Sequence, residues 1–196
     1  MAGRGSNGRG TRGQGGAAAA LARLLHSDSV QLLDSYRKSE SLPSSGVSGV
    51  HLVSVPPLVP QLSDTDKISI LRAALKECLQ LLEDVIAKED EEFSDESDYK
   101  TKQKTVRDRL RHLLASTEQL ADGQTFAAEV KENVLDGQSV GSSFGLKMWT
   151  VRVLQEIVHW TGQTSDILQS PPAVKHVTPR TRTTPRTRKA IQKSRK

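Results

Sequence analysis

This sequence predicts an all-α fold of four long helices joined in the order long, short, long. Three observations carry that prediction. Apolar residues recur at helical spacing in four separate stretches. Prolines and serine/glycine clusters fall between those stretches. No period-two strand pattern of convincing length appears, and the nearest candidate, His51 to Val59, is weakened by its prolines. A chain of 196 residues holds one ordinary domain plus tails, and a 35% apolar fraction leaves part of that length unable to support a core.

The first helix is predicted over 17–40. Leu21, Leu24, Leu25, Leu32, Leu33 and Tyr36 recur at helical spacing, and Ala17 to Ala20 are strong helix formers. Pro43, Pro56, Pro57 and Pro60 forbid a helix over 41–63 and make it a long crossover. Ser63-Asp-Thr-Asp66 supplies a capped, acid-rich start for a second helix to about residue 89. Its apolar face is Ile68, Leu71, Leu75, Cys78, Leu79, Leu82, Val85 and Ile86. An acidic connector over 90–98 is short. The third helix follows over 99–121 with Val106, Leu110, Leu113, Leu114, Thr117 and Leu120 inside and a basic, solvated outer face.

Phe126, Val130, Val134 and Leu135 either continue that helix or make a short extra one. Gly137 to Ser143 is loop, and Ser142 or Ser143 caps a last helix that ends near 169, before Pro171-Pro172. Short connections force antiparallel neighbours, whereas a crossover of about 20 residues lets consecutive helices run parallel. Long, short, long is therefore the up-up-down-down order of growth hormone and cytokine bundles. The expected organisation is a disordered Gly/Arg-rich arm over 1–16, a four-helix domain over 17–170 and a disordered basic tail over 171–196.

Charge is segregated along the chain. Arg4, Arg9 and Arg12 give the arm +3 without an acid, and residues 175–196 carry nine cations without an acid. Taking both from the net +5 leaves −7 for residues 17–174, so the body is acidic between basic ends. Cys78 is the only cysteine, which forbids an internal disulfide. The N-terminus lacks the basic start and apolar run of a signal peptide, no segment has transmembrane length, and no Asn-x-Ser/Thr acceptor occurs. The expected place of synthesis is the cytosol.

The last helix is the most informative segment. Trp149, Val153, Ile157, Trp160, Thr164 and Ile167 fall on one stripe, so both tryptophans lie on one side of one helix. Phe144 and Lys147 sit one turn apart at its beginning and off that stripe. A large ring and a charge exposed together are poorly explained by core packing.

With Leu21-Ala22-Arg23-x-Leu25-x-Ser27-Asp28 and Leu32-x-Asp34-Ser35-Tyr36-x-Lys38 in the first helix, the segments Phe144-x-x-Lys147-x-Trp149 and Val153-Leu-Gln-Glu156-x-x-x-Trp160-Thr161 in the last agree in identity, order and spacing with one family. The chain resembles the ciliary neurotrophic factor family of long-chain helical cytokines, within the interleukin-6 and leukaemia inhibitory factor group. The resemblance covers roughly residues 20–168; the two basic ends lie outside it. It implies a cytokine acting on neuronal survival and differentiation by assembling cell-surface receptors. These are a ciliary neurotrophic factor alpha receptor, the leukaemia inhibitory factor receptor and a shared signal-transducing chain, whose Janus kinases phosphorylate STAT factors. It also implies cytosolic synthesis without a signal peptide and action outside the cell after non-classical release.

Residue by residue, Phe144 and Lys147 match the family's contact for the leukaemia inhibitory factor receptor, the usual make-up of an interface hot spot. Arg23 matches one alpha-receptor arginine of the first helix, while His26 stands where another is expected. Gln163 and Asp166 replace basic residues near the end of the last helix, which implies weakened or altered use of the alpha receptor.

Catalytic and metal chemistry have no signature here. The histidines (26, 51, 112, 159 and 176) are dispersed, no nucleophile motif surrounds a serine, no phosphate-cradling glycine loop precedes a helix, and the acids of 91–98 lack a calcium-loop pattern. His26 and His159 read as polar helix positions and Cys78 as a core residue. No cofactor is expected. The tail repeats Thr178-Pro-Arg-Thr-Arg182 as Thr184-Pro-Arg-Thr-Arg188 and continues through Lys189. It reads as a solvated disordered tail, as a polyanion-binding segment in which Arg180, Arg182, Arg186, Arg188 and Lys189 contact heparan sulfate or lipid, or as a nuclear-targeting signal. No aromatic interleaves its charges, so base stacking is not supported. The competing reading is an intracellular helical scaffold whose basic arms bind RNA or chromatin. It has no need of Phe144 and Lys147.

Overall fold

The computed structural model describes residues 8–42, 51–92, 98–118, 120, 129–130 and 143–170. The chain is mostly helical. Helix α1 (Gly8–Ser39) is followed by strand β1 (Val53–Ser54), helices α2 (Asp64–Glu92) and α3 (Asp98–Glu118), strand β2 (Glu129–Val130) and helix α4 (Ser143–Gln169). Helices α1 and α2 each pack against both α3 and α4, around one core that all four share.

Helix α1 begins nine residues before the expected start, inside the segment read as an unstructured arm. Glycine costs a helix about 1 kcal/mol relative to alanine, yet adding residues to an existing helix needs no new nucleus. The Ala17–Ala20 run supplies that nucleus. Ala18, Ala22, Leu25, Leu32, Leu33 and Tyr36 are buried, whereas Leu24, expected on the inner face, is 48% exposed. It lies one position, about 100°, off the row Leu25–Ser29–Leu32–Tyr36. Ser29 fills the buried slot in that row by donating its hydroxyl to the Leu25 carbonyl at 2.7 Å.

The end of α1 is closed by a Schellman motif. The Leu42 N–H reaches the Arg37 carbonyl at 2.8 Å and the Ser41 N–H the Lys38 carbonyl at 3.4 Å. Ser41 adopts the left-handed conformation this cap requires, with φ 52°, where glycine is usual. Helix α2 starts as expected: Ser63 Oγ accepts the Asp66 N–H at 3.1 Å, and Asp64 and Asp66 complement the helix dipole. Leu71, Leu75, Cys78, Leu82 and Val85 of the predicted face are buried, whereas Ile68 is only partly so, and Ile70, Ala74 and Leu81 are buried outside it.

Helix α3 stops at Glu118, three residues short of the expected end. Val130 belongs to β2 rather than to a helical continuation, because its backbone pairs antiparallel with Val53 of β1. The rest of that region, with Phe126, Val134 and Leu135, lies outside the described residues, as do the acidic connector from Phe93 and the tail residues Arg180, Arg182, Arg186, Arg188 and Lys189. Helix α4 buries Trp149, Val153, Ile157, Trp160 and Thr164 of the predicted stripe, while Ile167 is only partly buried. Lys88 of α2 covers the Trp149 ring, its ammonium 4.5 Å from the centroid.

Cross-helix pairs fix which levels of the helices meet. Arg109 pairs with Asp28 and Lys102 Nζ with Ser35 Oγ at 2.8 Å. Gln103 bonds Glu89, and Arg111 bonds Glu83. His26 meets Thr161, and Glu40 meets Lys147.

Candidate functional site

The first turn of α4 places Phe144 and Lys147 on the surface beside the end of α1. Helical spacing sends Leu146 and Trp149 inward, which leaves Phe144 68% exposed. No other large apolar side chain described is as exposed. Lys147 is not free: its Nζ lies 2.6 Å from Glu40 Oε2, and the two side chains are 34% and 25% exposed. An exposed ring thus stands next to a half-buried ion pair that ties α4 to the Schellman-capped end of α1.

The second group of predicted contacts sits at another level of the same two helices. His26–Thr161 and Glu40–Lys147 are fourteen residues apart on each helix, about 21 Å at 1.5 Å per residue. His26 Nδ1 lies 3.3 Å from Thr161 Oγ1, whose hydroxyl already donates to the Ile157 carbonyl at 2.6 Å. The ring nitrogen is therefore the donor. A Cβ on Gly162 would come within 3.2 Å of the His26 ring, so glycine lets the helices close here. Arg23, one turn before His26, is exposed, as are Gln163 and Asp166 at the matching level of α4. This surface carries one cation, one acid and a bonded imidazole.

A buried polar cluster on α4 was missed in reading the sequence. Glu156 is 6% exposed. Its Oε1 accepts from His51 Nδ1 and from the Leu52 N–H, each at 2.9 Å, and its Oε2 accepts the Trp160 indole N–H at 3.0 Å. The His51 and His159 rings meet at 4.5 Å, tilted by 37°, and the His159 ring meets Trp160 edge-on at 4.9 Å. Burial first, then His51, lowers the His159 pKa, while Glu156 opposes the shift. The dispersed histidines 51 and 159 come together because the chain entering β1 crosses α4. The available signal was a carboxylate one turn before a tryptophan inside an apolar run.

A second cluster lies between α2 and α3. Glu89 accepts from Gln103 Nε2 at 2.9 Å and from the Tyr99 hydroxyl at 3.2 Å, and the Tyr99 ring packs 5.1 Å from Tyr36. Burial pushes the Glu89 carboxyl up, against the lowering effect of its two donors. Burial, then Glu89, pushes the Tyr99 hydroxyl well up. Cys78 is fully buried, and burial raises its thiol, so it is a core residue rather than a nucleophile.

Among the described residues no group of three or more His, Cys, Asp or Glu is placed to hold a metal ion, and no helix is long and apolar enough to cross a membrane. No family model matches the chain, and no curated protein matches it.

Proposed function

We propose that the chain is a receptor-assembling helical cytokine of the ciliary neurotrophic factor type. The observation that carries this reading is Phe144: a ring exposed to 68% beside a charge, on a helix whose other aromatics are buried. A core-packing role does not account for it. The resemblance assigns Phe144 and Lys147 to the leukaemia inhibitory factor receptor and the Arg23, His26, Gln163 and Asp166 surface to the alpha receptor. Their separation by about 21 Å along α1 supports two distinct partners, since two receptor chains need two footprints.

The reading includes an up-up-down-down bundle. Asp28 with Arg109 and Ser35 with Lys102 support opposite senses for α1 and α3, and His26 with Thr161 and Glu40 with Lys147 do so for α1 and α4. Glu83 with Arg111 and Glu89 with Gln103 argue the same for α2 and α3. The two 24-residue connections, 40–63 and 119–142, are long enough to return the chain along the length of a helix.

Mechanistically, the cytokine supplies no chemistry of its own. It holds receptor chains at a fixed spacing, so that their Janus kinases phosphorylate each other and then STAT factors. Alpha-receptor use is altered, because Gln163 and Asp166 give that surface neither of the expected cations. Synthesis in the cytosol and action outside the cell complete the reading; a single buried thiol is indifferent to the change of redox compartment. The test is to add purified protein to cells carrying defined receptor chains and measure STAT phosphorylation. Phosphorylation that requires the leukaemia inhibitory factor receptor is expected, and its absence in every receptor combination rejects the reading.

A further inference from the structure

Glu40 occupies an electrostatically awkward place. It is the C-cap of α1, where the helix dipole disfavours a carboxylate, and its charge adds to the raised pKa values of Glu89 and Tyr99. Its backbone is nevertheless fixed. The Glu40 N–H bonds the Tyr36 carbonyl at 3.0 Å, and the Schellman bonds of Ser41 and Leu42 close the chain directly after it. Leu42 then packs against the core. The Lys147 ammonium pairs with this backbone-anchored residue, 2.6 Å from Glu40 Oε2 and one turn along α4 from the exposed Phe144 ring.

A lysine side chain loses up to about 2 kcal/mol of rotamer freedom when it is immobilised. Where a cis partner has already immobilised it, that cost does not recur on binding. An ammonium has three donors, and Glu40 takes one, leaving two for a partner.

Resting on the receptor reading above, we propose that Glu40 is a positioning residue of the Phe144–Lys147 surface. It presents the Lys147 ammonium, already ordered, to a partner that offers an apolar pocket for the ring with an acidic or carbonyl acceptor beside it.

The test measures binding of full-length protein to the ectodomain of the leukaemia inhibitory factor receptor, with helix content and melting temperature followed in parallel. Glu40→Gln is expected to weaken binding about 3–10-fold, mostly through faster dissociation, with the melt unchanged. Glu40→Asp restores part of the loss. In a Lys147→Ala background Glu40→Gln adds nothing, because Glu40 acts through Lys147. Wild-type or tighter binding by Glu40→Gln, while Lys147→Ala weakens it, overturns the positioning role. Additive losses overturn it in favour of direct contact by Glu40. A fall in melting temperature that tracks the loss of binding overturns it in favour of a structural role. Wild-type binding by both Phe144→Ala and Lys147→Ala rejects the receptor reading itself and this inference with it.

Discussion

Glu156 accepts the indole N–H of Trp160, one turn later on the same helix, at 3.0 Å. The same carboxylate also holds His51 and the Leu52 backbone, so one buried acid joins the core of α4 to the chain entering β1.

Replacing Glu156 with alanine leaves the Trp160 and Leu52 donors buried without their acceptor. Each orphaned donor costs about 1–3 kcal/mol. We expect Glu156→Ala to lose roughly 2–5 kcal/mol in urea unfolding and Glu156→Gln, which keeps one acceptor oxygen, to lose less. A loss below about 1 kcal/mol for the alanine variant would remove Glu156 from its structural role.

His159 makes stability fall as the solution becomes acidic. Its pKa is lowered in the folded protein, mainly by burial and then by the facing His51, with Glu156 opposing. The unfolded chain therefore takes up its proton first. The contribution is fully present above the ordinary histidine value of about 6.5 and is lost as pH falls through the lower folded value. Glu89, whose carboxyl is raised by burial, works in the opposite sense: its contribution is present at low pH and is lost as pH rises through its raised value. Urea midpoints for Glu89→Gln should therefore drop more steeply between pH 7 and pH 5 than for the wild type. His159→Gln should flatten the slope. An equal slope in the wild type and His159→Gln counts against the assignment.

Trp149 and Phe144, five residues apart on one helix, should respond oppositely to truncation. Trp149 is 5% exposed, and its loss should cost about 3–5 kcal/mol. Phe144→Ala should change stability by no more than about 0.5 kcal/mol while lowering receptor-dependent STAT phosphorylation. Thermal melts and dose–response curves on the two variants decide this. A destabilised Phe144→Ala of unchanged potency would make the ring a packing residue.

Deleting residues 175–196 should preserve helix content and receptor activation, since the core stripe of α4 is complete before Gln169. It removes nine of the twelve cations of the basic ends, so heparin binding should largely vanish, and binding by the intact chain should weaken steeply with salt. Salt-resistant RNA binding after the deletion would favour the scaffold reading.

Legibility followed the source of each signal. Periodicity revealed the α4 stripe, and Ser63 with Asp66 revealed the start of α2, because both depend on residues within one turn. The exposed Phe144 was legible for the same reason. The start of α1 was not, because propagation from Ala17–Ala20 overrides the glycines before it. Its end was legible to within one residue of the expected 40, but not the cap that closes it, where Ser41 takes a conformation that glycine normally signals. The Glu40–Lys147 pair and the Glu156 cluster were invisible for another reason. Each joins residues about a hundred positions apart, and no local pattern encodes such a meeting.

The pairing of Val53 with Val130 ties the connection after α1 to the connection after α3. Two two-residue strands bury too little to form alone, and their ends are brought close only once the helices they link have docked. The ladder therefore depends on helix docking. Because Leu52 is bonded to Glu156, 104 residues later in the chain, local opening there frees a backbone donor and a buried carboxylate together.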